Sequence, residues 1–219
     1  MRITARLAAV VATALLSTLA ITSCDEGSDS QVGGSPAAPQ SSGAGSPSNE
    51  YPKVQTPLDP SSYLKDPCRL VPPNVLNSIA EVGEGEPDVD STAAEKLTGP
   101  RCTWISKDAS GADVTLAIDT VRRDKADDGF KGIAAEYRSK ESGDIDHLQP
   151  LAIPGHPGNP AVIAGQASKI NNGSCPVTVG LTDDLTFTVI VIDREDPQGA
   201  CEGAQKVAAA VLDTLSGGK

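Results

Sequence analysis

The sequence predicts an α+β domain in which a mostly antiparallel sheet of about five strands is flanked by three helices. Three observations predict it. Over Asp113–Val121, Val114, Leu116 and Ile118 alternate with Thr115, Ala117 and Asp119, the period of a half-buried strand. Phe130, Ile133, Ala134 and Tyr137 fall at i, i+3, i+4 and i+7, one face of a helix. Runs of hairpin-linked strands separated by helices then argue for a layered α+β fold.

Taken in order, Pro72 and Pro73 suit a first helical turn, Val75, Leu76 and Ile79 make its apolar stripe, and Gly83 can end it. An acidic stretch, Glu84–Asp90, leads to a strand at Arg101–Ile105, whose expected partner is Asp113–Val121 across the Ser110-Gly111 turn. Asp127 and Asp128 can cap the second helix, with Gly143 beyond its end. A Pro- and Gly-rich connector, Gln149–Pro160, precedes strands at Ala161–Gly165, Cys175–Leu181 and Leu185–Asp193. The turns between them are expected at Asn171-Asn172-Gly173 and Asp183-Asp184. A last helix carries Cys201, Ala204, Ala208, Val211 and Leu215 on one face, which aims the Cys201 thiol at the sheet.

Three segments organise the chain: residues 1–23, 24–58 and 59–219. Arg2 and Arg6 precede an apolar run, Leu7–Ile21, too short to span a hydrocarbon core of about 30 Å comfortably. With Ile21-Thr22-Ser23-Cys24 behind it, this segment resembles a bacterial lipoprotein signal peptide and its lipobox. That resemblance implies cleavage after Ser23 and a diacylglyceryl group on the Cys24 sulfur, so that the membrane is reached through lipid. Residues 25–58 are rich in Ser, Gly, Pro, Ala and Gln and read as a disordered tether. Its typical span is roughly 30–35 Å on random-coil scaling. The remaining stretch is of a length that forms one domain.

Four cysteines remain once Cys24 is assigned to lipid: Cys68, Cys102, Cys175 and Cys201. In an exported chain an even number reads as disulfides, and four cysteines allow three connectivities. The expected one is Cys68 with Cys102 and Cys175 with Cys201, because each bridge then ties neighbouring elements within one half of the domain. A metal reading would want C-x-x-C or histidines at ligand spacing, and neither occurs.

Asp66-Pro67-Cys68 before a Pro-started helix, Cys102-Thr103-Trp104 on the first strand and a late cysteine opening the last helix resemble an actinobacterial lipoprotein family of unknown function. That family is common in streptomycetes and mycobacteria. The resemblance covers the whole globular domain and carries no established activity. Related envelope lipoproteins are similar to the Mog1/PsbP-like α/β/α sandwich, which the element order matches at the level of fold.

Chemistry is sparse. His147, with Asp144 and Asp146 beside it, offers nitrogen and oxygen ligands within a few residues, and His156 follows in the same connector. Solvated loop residues are the expected reading of all four. Asp124–Gly129 begins like a calcium loop, but Ala126 and Ala135 fall at required ligand places, and a helix cap accounts better for its acids. Asp193, Glu195 and Asp196 read as a solvated turn, and Trp104 as core packing beside a disulfide. There is no G-x-S-x-G, P-loop, H-E-x-x-H or dinucleotide-binding motif, and no cofactor is expected.

The net charge is −11, and loss of Arg2 and Arg6 with residues 1–23, which hold no acid, makes it −13. Such a surface repels phosphate backbones, so nucleic acid is not an expected partner. The expectation is a lipid-anchored extracytoplasmic module on the cell membrane. It would bind or scaffold an envelope protein, lipid or cell-wall component without catalysis. The alternative is a hydrolase-like envelope enzyme with a dispersed site.

Overall fold

The domain is built outward from two long, strongly apolar strands, Ser174–Gly180 and Thr186–Ile192, whose odd-numbered side chains point to one face and are sealed there. The computed structural model describes residues 51–217. The segments expected as signal peptide and tether, up to residue 50 and including Cys24, lie outside the described residues.

Seven strands form one antiparallel sheet: β1 Glu86–Asp88, β2 Arg101–Trp104, β3 Asp113–Ile118, β4 His147–Leu151, β5 Ala161–Gly165, β6 Ser174–Gly180 and β7 Thr186–Ile192, in the spatial order β1-β2-β3-β7-β6-β5-β4. Six helices accompany them: α1 Pro73–Leu76, α2 Thr92–Lys96, α3 Thr120–Lys125, α4 Ala134–Ser142, α5 Ala167–Asn171 and α6 Pro197–Leu215. Short 3-10 turns occur at Ser61–Tyr63, Pro67–Leu70 and Asp128–Phe130.

Strand alternation divides the side chains between two faces. On one, Val114, Leu116, Ile118, Val177, Val179, Phe187, Val189 and Val191 pack against Ala204, Val207, Ala208, Val211 and Leu212 of α6. Pro197 suits the first turn of α6, and the Asp196 carboxylate accepts from the Gly199 N–H at 2.8 Å. On the other face, Val162 and Ala164 of β5 meet Ile133 and Tyr137 beside and on α4. Helices therefore cover both faces. Both disulfides form as expected, Cys68–Cys102 from the 3-10 turn at Pro67–Leu70 to β2 and Cys175–Cys201 from β6 to α6.

Among the described residues the sheet is larger than the expected five strands, and the helices number six, not three. β1 is three residues long, acidic and interrupted by Pro87, so it carries no apolar period to read. β4 overlaps the start of the stretch expected as connector; it holds Pro150 and is an edge strand, where a missing N–H is tolerated. Helices α2, α3 and α5 have five or six residues, below the length at which an apolar stripe shows. The second expected helix is broken: Gly132 has φ +57°, and its N–H donates to Asp184 O at 3.1 Å, so α4 starts only at Ala134. Phe130 is left outside it, 48% exposed, under the Arg138 guanidinium. Gly143 ends α4 at φ +83°, as its position implied.

Residues 51–58, inside the stretch expected as tether, lie along the domain. Tyr51 Oη donates to Glu141, the Val54 N–H to Asp183, the Gln55 and Thr56 N–H groups to Gly158 O, and the Leu58 N–H to Leu181 O. Among the described residues no helix is long and apolar enough to cross a membrane.

Candidate functional site: a cleft at the β1 edge

Proline at 72 and 73 sets a rigid wall, because neither residue can donate a backbone hydrogen bond and Pro72 is held extended at φ −63°, ψ 140°. Opposite this wall runs Val82–Gly85, the chain leading into β1. Between them opens a cleft of about 680 Å³. Val71, Leu76 and Trp104 and the half-buried Cys68 of the first disulfide contribute apolar lining, while Asp66, Arg69, Glu84 and Lys107 supply charge.

The Val82–Gly85 wall owes its shape to a change of register. Val82 lies opposite Ser106, but Glu86 lies opposite Thr103, so four steps on one strand face three on the other. The extra residue makes a bulge, a device that bends an edge strand and ends its regular pairing. It presses Gly85 onto the disulfide: a Cβ there would lie 2.5 Å from Trp104 Nε1, 2.8 Å from Cys102 Sγ and 3.0 Å from Cys68 Sγ. Glycine is what lets the backbone approach so closely. Beyond the bulge, Arg101 clamps β1 through Asp88 Oδ2, at 2.7 Å from Nε and 2.6 Å from Nη2.

Two kinds of hydrogen-bonding group are left free at this wall among the described residues. The Gly83 N–H donates to Ile105 O at 2.8 Å, and the Lys107 N–H to Glu81 O at 2.9 Å. The intervening backbone groups of Val82 and those of Glu84 make no hydrogen bond. The Trp104 indole N–H makes no hydrogen bond to another described residue, and it is not a sealed, unpartnered group but one that borders the cleft. Trp104 is only 3% exposed and belongs to the core, as its place beside Cys102 suggested, yet it also lines the cleft.

The structure does not gather the polar residues singled out from the sequence. Asp144 accepts from Ser142 Oγ at 2.6 Å, and Asp146 Oδ1 accepts from the Ala167 N–H at 2.5 Å at the start of α5. His147 opens the edge strand β4. His156 stands on another loop, its Nε2 2.9 Å from Asp213 Oδ1 near the end of α6, in a shallow hollow that Ser216 also lines. Asp124 pairs with Arg123 and Asp128 with Lys131, and Asp193 Oδ1 accepts from the N–H groups of Glu195 and Asp196 at 3.0 Å each. These acids stabilise turns and helix starts.

One polar cluster escaped the sequence reading. Asp119 follows β3 on the face away from α6, and its carboxylate is buried, accepting from Thr186 Oγ1 at 2.7 Å and Thr188 Oγ1 at 3.1 Å. Burial pushes its pKa up to about 6 against the pull of those hydroxyls and of Arg122, and the nearby Glu136 adds to the rise. Arg122 Nη1 in turn bridges to Glu136 Oε1 of α4 at 2.5 Å. The signal available was the alternation itself, which placed Asp119 on the second face; the cover of α3 and α4 made that face an interior.

Together these features define a disulfide-stapled α/β domain with an open cleft at one sheet edge. Among its described residues no group of three or more His, Cys, Asp or Glu side chains is placed to hold a metal ion. Residues 19–214 match the family model described as "Protein of unknown function (DUF3558)". The chain belongs to that family. No curated protein and no solved structure matches it.

Proposed function

We propose that this chain is an actinobacterial envelope lipoprotein, anchored by lipid on Cys24 at the extracytoplasmic face of the cell membrane, whose domain binds a ligand without catalysis in the cleft between α1 and Val82–Gly85. The lipobox-like Ile21-Thr22-Ser23-Cys24 and the Ser/Gly/Pro-rich stretch behind it support the anchor and spacer. The helices on both faces of the sheet support the likeness to a Mog1/PsbP-like sandwich.

The observation that carries the binding reading is the composition of the cleft. It offers a mostly apolar lining, flanking charges and an indole N–H with no acceptor among the described residues, and the residues that line it include no histidine, serine or free thiol. Ligand sites combine an apolar wall with a few placed polar groups, whereas acid–base or nucleophilic chemistry needs a tuned pair.

The test places a photo-crosslinking side chain at Asn77, an exposed cleft residue, or at Leu97, 73% exposed on the α2–β2 loop, in the lipidated protein within its own membrane. Capture at Asn77 and not at Leu97 is expected, and the captured component, once purified, should shift the fluorescence of Trp104, the sole tryptophan. Equal capture at the two positions, or none at Asn77, overturns the cleft reading. Cys24→Ala protein that is processed and stays in the membrane as before overturns the anchor.

The second reading, an envelope enzyme, is favoured by the His156–Asp213 pair in its hollow with Ser216. Among the described residues Ser216 makes no hydrogen bond to His156. Retained physiological activity in His156→Ala would set that reading aside.

A further inference from the structure

We propose that the cleft takes an extended peptide segment of a partner protein, which adds to the sheet as a short strand along Val82–Gly85. The inference rests on the cleft being the ligand site and names the class of ligand.

In an antiparallel ladder, residues alternate between pairs that exchange hydrogen bonds and pairs whose N–H and C=O groups point out of the ladder. Val82 and Ser106 are a pair of the second kind, since the bonds run instead from Gly83 N–H to Ile105 O and from Lys107 N–H to Glu81 O. Val82 therefore directs its donor and acceptor away from β2, and Glu84 adds a further unpaired set. An edge of this kind is a template for another strand.

The facing wall is Pro72-Pro73, which has no N–H to offer and whose carbonyls already accept from Val75, Leu76 and Asn77, so the wall leaves the edge unpaired. The bulge at Glu84–Gly85 limits the free edge to a few residues, short enough to keep the domain from general edge-to-edge association.

The alternate side chain of an added strand would find Val71, Leu76 and Trp104, and the indole N–H would find a carbonyl acceptor. The charged lining is mixed, Arg69 and Lys107 against Asp66 and Glu84, and Lys107 Nζ is already paired with Glu81 Oε1 at 3.1 Å. The cleft therefore gives an anionic wall polymer or lipid headgroup no net attraction, least of all on a chain of net charge −11, and suits the neutral dipoles of a peptide backbone.

Heptapeptides of randomised, uncharged sequence, displayed on phage and selected on the full-length protein in detergent micelles, serve as the probe. Enriched peptides should slow amide exchange at Val82 and Glu84 by about tenfold or more, since a new ladder bond shields the amide. Glu84→Pro removes a donor that has no partner within the described domain, and should weaken peptide binding at least about tenfold more than Glu84→Ala, which keeps the N–H and loses only the side chain's carboxylate. Should Glu84→Pro misfold, the exchange measurement on the wild type decides alone. Peptides that bind and leave both amides exchanging at the free rate, equal losses in the two Glu84 variants, or no enrichment at all would each overturn the inference. If peptides fail while Asn77 still captures an envelope component that shifts Trp104 fluorescence, the strand-addition inference falls and the cleft reading stands; if Asn77 captures nothing, both fall.

Discussion

Asp119 and Thr186, 67 positions apart, meet under the α3–α4 layer, where the Thr186 hydroxyl donates to the Asp119 carboxylate at 2.7 Å. The bond ties the end of β3 to the start of β7 on the face away from α6. Thr188, one step along the same face of β7, adds a second donor at 3.1 Å.

This buried acid makes stability depend on pH with a defined sign. Its folded pKa, about 6, lies above the ordinary 3.8, so the folded state holds its proton more tightly than the unfolded chain does. The resulting stabilisation is fully present below pH 3.8 and is lost as pH rises through about 6, a change of at most about 3 kcal/mol. Asp119→Asn, which cannot ionise, should therefore exceed the wild type in urea midpoint at pH 7, by an amount equivalent to about 1–3 kcal/mol, and approach it near pH 4. A variant destabilised equally at both pH values would mean that Arg122 and the two threonines hold the ionised form.

Gly85→Ala tests the close approach at the bulge. The new methyl would sit 2.5 Å from Trp104 Nε1 and within 3.0 Å of both sulfurs of a disulfide, which cannot swing aside as a flexible chain end would. Overpacking of this kind costs about 1–3 kcal/mol, and the displaced indole should change its fluorescence maximum. Unchanged denaturation and unchanged emission would show that Trp104 moves freely and that the cleft floor is soft.

The two disulfides should differ in what their loss does to the cleft. They enclose sequence separations of 34 and 26 residues, and the loop-entropy model assigns each roughly 3.5–4 kcal/mol. Paired replacement by alanine at Cys175 and Cys201 should lower the melting temperature yet spare Trp104 fluorescence. The same replacement at Cys68 and Cys102 should cost similar stability and also alter that fluorescence, because this bridge lines the cleft. Peptide mapping without reduction checks the pairing, and a crossed linkage in it would remove the basis for both expectations.

Much of the fold was legible because its signals are local. β5 falls on Ala161–Gly165 as the apolar run implied, β6 and β7 lie within a residue of their expected limits, and β2 pairs with β3 across the turn where Ser110-Gly111 stands. Each of these rests on a period of two or a short apolar run, and on turn residues a few positions away. Cys68–Cys102 and Cys175–Cys201 were legible for a related reason, since each joins elements close in sequence.

The sequence by itself thus determined the α+β class, the central strands, the last helix with its cysteine aimed at the sheet, and the disulfide pairing, because alternation, helical spacing and thiol count are properties of short stretches. Tertiary structure alone decided the rest. The edge strands β1 and β4 exist because a neighbour supplies hydrogen bonds to stretches with no apolar period of their own. Asp119 looked like a solvent-facing residue until α3 and α4 closed over it. The cleft needs a one-residue slip between Val82 and Glu86 set against a proline wall, and a register is a relation between two strands, which neither carries alone.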